Sequence, residues 1–190
     1  LQLAHCTFSH IDAEDAVNIS QCQDVQLENL VFRDATGDGL DIDFSNGSIH
    51  NLRFTNLGGD AIDVSGSDFE IDQVYVENIT DKGMSIGEAA TIHATNLRIN
   101  HTFTAIAVKD GSNASINNIN ISDAEYGLAV FTKKSTYDNA RLAVHDVKFT
   151  GIRTLNFVLE LPHELSIDDT IRTFTHLPQQ LLPVFYPPEE

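Results

Sequence analysis

One feature constrains this chain more than any other: a small residue followed by an alternating strand-like segment recurs at a nearly fixed interval. The small residues are Ala16, Gly39, Ala61, Gly83, Ala105 and Gly127, spaced by 23, 22, 22, 22 and 22 residues. Val17-Asn18-Ile19, Leu40-Asp41-Ile42, Ile62-Asp63-Val64, Met84-Ser85-Ile86, Ile106-Ala107-Val108 and Leu128-Ala129-Val130 follow them. Self-similarity at such a period is the mark of a solenoid, in which each unit buries its apolar side only against its neighbours. A second strand falls about half a period later, at Leu30-Val31-Phe32, Leu52-Arg53-Phe54, Val74-Tyr75-Val76, Leu97-Arg98-Ile99, Ile119-Asn120-Ile121 and Val147-Lys148-Phe149.

The corners of the unit are also readable. Asn29, Asn51, Gln73, Asn96, Asn118 and Asp146 each precede the second strand. Such a column predicts side chains that hydrogen-bond from coil to coil and satisfy turn backbone groups. Asp34, Asn56, Asn78, Asn100 and Ser122 are expected to form a like column after it. A hairpin sandwich would need turns every 8–12 residues or so, and Asn46-Gly47 and Asp110-Gly111 do not explain the fixed period. The expected fold is therefore all-β: a parallel β-helix solenoid of about seven coils of ~22 residues, roughly 35 Å long at ~4.8 Å per coil. Residues 1–160 form the helix in this reading. Residues 161–190, with five prolines from Pro162 to Pro188, form an irregular C-terminal cap, in which Ile167 to Phe174 can pair once more or make a helical turn. The polar stretch Thr132 to Asn139 reads as a surface insertion between coils.

The unit from Ile116 to Val130, Ile-Asn-Asn-Ile-Asn-Ile-Ser-Asp-Ala-Glu-Tyr-Gly-Leu-Ala-Val, closely resembles a known repeat. It is similar to that of the right-handed parallel β-helix superfamily, which includes pectate lyases, polygalacturonases and the carbohydrate-binding and sugar-hydrolase repeat family. The resemblance covers about residues 1–158. It implies a right-handed coil and a polysaccharide or oligosaccharide partner. It also implies an extracytoplasmic setting: periplasmic, cell-surface or secreted. Related hydrolases place three aspartates on adjacent coils. The chain carries no Asn-Thr-Asp, Gly-His-Gly, Arg-Ile-Lys, Asp-Pro-His-Asp or Arg-x-Pro-x-x-Arg motif, so the resemblance implies a fold more than a particular reaction.

The chemistry concentrates in Thr36 to Ser45, the densest run of carboxylates. Leu40, Ile42 and Phe44 alternate with Asp41, Asp43 and Ser45, which predicts an apolar face turned in and a polar face turned out. Stacking of the copies sets Asp41 beside Asn18 and Asp63, and Asp38 beside Asp15 and Asp60. Like charges ~5 Å apart repel by about 1 kcal/mol in water, and by more where shielded. The wall needs relief, from a cation, from raised pKa values or from solvent. Asp38, Asp41, Asp60 and Asp63 are the candidate catalytic residues if the chain is a glycan-active hydrolase, lyase or epimerase, since paired carboxyls with split pKa values drive glycoside hydrolysis. Asp38, Asp41, Asp43, Asp60 and Asp63 are the candidate ligands of a hard cation such as Ca²⁺, which favours several carboxylate oxygens. The plainer alternative is a solvated wall of turn-capping aspartates.

Other residues carry less. Eight histidines are scattered without metal-ligand spacing and read as corner or solvated side chains. Lys82 and Lys109 lie near the wall and read as surface lysines. Tyr75, Tyr126 and Tyr137 can stack on sugars, though packing is the commoner use. Six Asn-x-Ser/Thr sequences follow from Asn-rich corners and are not read as glycosylation. Cys6 and Cys22 are no disulfide framework.

A net charge of −17 argues against nucleic acid and against an anionic membrane as partners. No apolar run approaches the ~18 residues of a membrane span. The chain opens at Leu1 inside a strand-like pattern, which predicts upstream sequence and makes upstream domains or a homo-oligomer further partners. The function expected is a polysaccharide-directed module with an acidic binding face. The alternatives are a glycan-active enzyme and a structural rod of a larger or trimeric surface protein.

Overall fold

The computed structural model describes residues 1–173 together with Pro183 and Phe185. The strands wind into a parallel β-solenoid of about eight turns with ~22 residues per turn. Three faces run along it. The first begins at Gln2–Ala4, the second at Thr7–Ile11 and the third at Asp15–Ser20. Asp68–Gly87 and Thr91–Lys109 pass through all three faces without a break in the strand.

The register realises the repeat. Leu40 pairs with Ile62, Ile62 with Met84, Met84 with Ile106 and Ile106 with Leu128, and all five are buried. The column of Ile42, Val64, Ile86 and Val108 lies two residues on, also buried. On the second face Phe8, Phe32 and Phe54 stack with ring centroids 5.0 and 4.7 Å apart. Like side chains thus meet like side chains from coil to coil, and one apolar core runs the length of the helix.

The corner between the first and second faces is a single residue in the left-handed region. Asn29, Asn51, Gln73, Asn96, Asn118 and Asp146 occupy it with φ between 52° and 61°. Short polar side chains tolerate that conformation best among non-glycine residues. The amides also form rungs: Asn51 donates to Asn29 at 2.5 Å and Asn118 to Asn96 at 2.7 Å.

At the second corner the expected column holds for Asp34, Asn56 and Asn78, with Asn56 donating to Asp34 at 2.9 Å and Asn78 to Asn56 at 2.7 Å. It does not hold further on. His101 and Asp123 take the left-handed position, and Asn100 and Ser122 align with Glu77 instead. Coil spacing explains the slip, because Glu77 pairs with a residue 23 positions on while the third face keeps its step of 22, as in Met84 to Ile106.

Phe44 departs from the expected alternation. The strand ends at Asp43, Phe44 turns at φ 46°, and its ring is 57% exposed. It stands at a third corner, with Gln21, Gly66, Glu88 and Asp110 in the same left-handed conformation in the neighbouring coils. A Cβ on Gly66 would meet the Phe44 ring at 2.6 Å, so glycine there makes room for it. The next position is a hydroxyl ladder: the Cys22 N–H donates to Ser45 at 2.9 Å and the Ser45 N–H to Ser67 at 2.8 Å. Cys6 and Cys22 are free thiols.

Beyond residue 160, Glu164–Ile167 adds a parallel rung to the first face, and Thr170–Ile171 pairs back on it antiparallel. His163 is buried rather than solvated; its Nδ1 accepts from the Ala140 N–H at 2.8 Å, and its Nε2 lies 2.9 Å from the Thr132 hydroxyl. Apart from Pro183 and Phe185, the expected cap from residue 174 onward, with its apolar run at 181–186, lies outside the described residues.

Candidate functional site

The third face carries the carboxylates, and its outward positions change character along the axis. One outward column reads Asn18, Asp41, Asp63, Ser85, Ala107, Ala129 and Val158. Asn18 and two aspartates fill its first coils and apolar residues its last. Phe185 covers the apolar part, stacked on Phe131 with centroids 5.1 Å apart and tilted against Tyr126 at 5.2 Å. Phe185 therefore sits on the side of the helix. The open part of this face is the acidic part.

The five aspartates fall into distinct roles. Asp38 and Asp60 occupy one column, and each reaches across to the next coil. Asp38 Oδ1 accepts the Asp60 N–H at 2.7 Å, and Asp60 Oδ1 accepts the Lys82 N–H at 2.8 Å. Both carboxyls thereby satisfy backbone donors that the corner leaves without a ladder partner. The column continues to Lys82, whose ammonium lies 3.5 Å from Asp60 Oδ1 and 2.5 Å from Asp81. Lys82 is 2% exposed, so it is a buried counter-ion and not a surface lysine. Lys109 is buried as well and donates to the Ser85 hydroxyl at 2.6 Å.

Asp41 and Asp63 are differently placed. They are direct register partners on adjacent coils and half-buried. Asp41 accepts from the Asn18 amide at 2.5 Å. Asp63 Oδ1 is shielded from solvent without a hydrogen-bond partner. Ligand oxygens of Asp38, Asp60 and Asp63 lie within 4.8 Å of one another; Asp41 and Asp43 stand outside that trio. Asp43 pairs in register with Ser65 at the border of the cluster.

The electrostatics follow from the crowding. Burial, then Asp43, Asp15, Asp63 and Asp38, push Asp41 up to about 7. Burial raises Asp38 to about 6, against the hydrogen bond from Asp60 and with help from Asp63 and Asp15. Burial also holds Asp60 above the usual carboxylate range, and Lys82 opposes it. Asp15 and Asp43 are raised too, again chiefly by desolvation. The repulsion inherent in the stack is thus relieved by protons and by Lys82.

The insertion after Phe131 folds back toward this face. The N–H groups of Lys133 and Lys134 donate to Asp110 at 2.7 and 2.6 Å. The Lys134 ammonium pairs with Glu88, and the Tyr137 hydroxyl donates to Glu88 at 3.2 Å. The loop so spans back across the third corner at Glu88 and Asp110. Its periodicity-free sequence gave no signal of that contact. Lys82 did have one, because it lies 22 residues after Asp60 as Asp60 does after Asp38.

Among known proteins, a family model described as a right handed beta helix region matches residues 3–156. Comparison with curated proteins and with solved structures gave no match.

Proposed function

The chain belongs to the right-handed β-helix family, and from that premise we propose that it is a polysaccharide-directed module that holds glycan along the open acidic half of its third face. The observation that carries the reading is the Asp41–Asp63 pair, with one carboxyl keeping its proton to about 7 beside another that has an oxygen without a partner. A half-protonated row of carboxyls both donates to and accepts from sugar hydroxyls. Parallel coils repeat those groups every ~4.8 Å along a straight line, which suits a linear chain. Phe44, exposed at the edge of the row, offers an apolar ring face for a sugar. Polysaccharides of this kind are met outside the cytoplasm, so an extracytoplasmic setting goes with the proposal. No helix among the described residues is long and apolar enough to cross a membrane.

Two further readings each have an observation in their favour. Asp41, pushed up to about 7, and its register partner Asp63 form a carboxyl pair of the kind that glycoside hydrolysis uses. Asp38 and Asp60, bound to backbone donors, would support that pair. The trio of Asp38, Asp60 and Asp63 is a hard-oxygen donor set of the kind Ca²⁺ takes, with the Lys82 ammonium as its competitor.

One set of measurements separates these readings. Neutral and uronate oligosaccharides titrated into the protein at about pH 6 should bind, and Asp63→Ala and Phe44→Ala should each weaken binding about tenfold, or ~1.4 kcal/mol. Absence of binding across the panel would reject the module. Release of reducing ends by the wild type but not by Asp41→Asn would replace binding with catalysis. Melting curves in calcium chloride and in sodium chloride of equal ionic strength test the cation: identical curves reject it, and a rise in calcium alone that Asp63→Ala removes supports it.

A further inference from the structure

One buried imidazole holds both ends of the insertion. His163 is 4% exposed and stands in the turn before Glu164–Ile167. The Ala140 N–H, where the insertion rejoins the first face, donates to its Nδ1 at 2.8 Å. The hydroxyl of Thr132, where the insertion begins, lies 2.9 Å from its Nε2. A backbone N–H can only donate, so Nδ1 is bare and Nε2 carries the ring hydrogen. That tautomer leaves Nε2 no lone pair with which to activate the Thr132 hydroxyl, so the two side chains form a tether and not a nucleophile with its base. Two carboxylates complete the seat. Glu160 accepts the Thr132 N–H at 2.6 Å, and Asp110 accepts the N–H groups of Lys133 and Lys134.

A second proton on the ring can go only to Nδ1, where it points at the Ala140 N–H. Two donors then face each other at 2.8 Å, and the tether at the end of the insertion is lost. The charged groups facing the ring are Glu160, whose Oε2 lies 3.6 Å from Nε2, and Asp110; both favour the imidazolium. Burial opposes them and prevails, holding His163 below its ordinary 6.5. Glu160 approaches at Nε2, so it does not replace the acceptor that Ala140 loses. We propose that His163 is an acid-operated latch on the insertion, which stays seated while the ring is neutral and is released when the ring is protonated. The folded ring binds its proton more weakly than the unfolded one. The anchoring is therefore fully present above the ordinary 6.5 and is lost as pH falls through the lower folded value. Release also moves charge at the third corner. Lys134 pairs with Glu88, and those two act in opposite directions on Asp43, while Asp63 acts on Lys133. Latch and acidic patch are thus linked electrostatically, but the latch operates whatever the patch binds.

Imidazole-nitrogen and amide NMR of the intact protein tests this. At about pH 7.5 the His163 ring should show the tautomer with its hydrogen on Nε2. Protection of the Ala140, Lys133 and Lys134 amides against hydrogen exchange, corrected for the intrinsic rate at each pH, should fall at least tenfold as pH is lowered through the titration of that ring. The amide of Ile106, in the buried third-face column, should keep its protection. His163→Asn presents an amide oxygen near the place of Nδ1 and does not titrate, so it should keep the Ala140 amide protected at both ends of the range. A hydrogen on Nδ1 at neutral pH, or protection that ignores the His163 titration, would overturn the proposal. So would a His163→Asn variant that loses protection at the same pH as the wild type, since the release would then belong to Glu160 and Asp110. If the variant does not fold, the coincidence of ring and amide midpoints in the wild type decides the matter alone: separate midpoints reject the latch.

Discussion

Lys82→Met should be among the most damaging single substitutions on the third face, at about 3–5 kcal/mol. The ammonium it removes is 2% exposed and serves the buried Asp60 and the neighbouring Asp81. Methionine fills the space but leaves Asp60 without its counter-ion in a site that already resists ionisation. Removing one partner of a buried pair costs more than the pair was worth, because the remaining charge keeps its desolvation penalty. The loss should depend on pH in a definite direction. Asp60 in the variant can escape the penalty by taking a proton, so the destabilisation should be larger at about pH 8 than at about pH 5. Denaturant midpoints of wild type and variant at the two pH values measure it. A loss equal at both, or a loss under ~0.5 kcal/mol, would mean that Lys82 packs by its aliphatic stem alone.

Phe54→Ala should cost about 3–5 kcal/mol, the range for truncating a buried aromatic. Phe54 is fully buried and stacks on Phe32 with centroids 4.7 Å apart, and Phe32 in turn stacks on Phe8 at 5.0 Å. The cavity would lie in the middle of a column whose neighbours are fixed by the coil spacing, so they can close little of it. Ile42→Ala and Val64→Ala in the third-face columns should also destabilise, Ile42→Ala by about 2–5 kcal/mol. Phe44→Ala supplies the contrast within one residue type, since its exposed ring predicts a change within about 0.5 kcal/mol. Similar midpoints for Phe54→Ala and Phe44→Ala would refute the register of the second and third faces.

The fold was legible because the solenoid writes its geometry into the sequence as a period. The step from Gly39 to Ala61 to Gly83 appears directly as register, as does the corner row from Asn29 to Asn118. Reading failed where a coil gains a residue at one corner and loses it at another. Glu88 and Ala89 are both left-handed, with φ 57° and 63°, which lengthens the third corner. The register then shifts back between Ile79 and Lys82. That pair of compensating changes misaligned Asn100 and Ser122 while the third-face period stayed intact. Phe44 was misread for a related reason, since alternation cannot say where a strand stops and a corner starts.

The acidic patch was legible as a location and less so as a set of roles. The period alone brought Asp41 against Asp63 and Asp38 against Asp60. It could not tell a carboxyl that caps the backbone of the next coil from one that keeps an oxygen spare. Contacts that break the period left no trace at all. The insertion reaching Glu88 and Asp110, and Phe185 lying on Phe131 and Tyr126, join residues with no shared pattern.

Burial and crowding keep carboxyls on the third face protonated into the neutral range. The consequence for stability has a fixed sign. Asp41 rises from an ordinary 3.8 to about 7 in the folded chain, so the folded state binds its proton more tightly. The resulting stability is fully present below the ordinary value and is lost as pH rises through the folded one. Asp38 acts in the same direction, with its folded value near 6. The most direct measurement is a carbon-detected NMR titration of the aspartate side-chain carboxyls, assigned with Asp38→Asn and Asp41→Asn. One carboxyl should titrate near 6 and another near 7, assigned to Asp38 and Asp41 respectively. Titration of both within the ordinary carboxylate range, near 3.8, would contradict it and leave the wall a solvated row of charges.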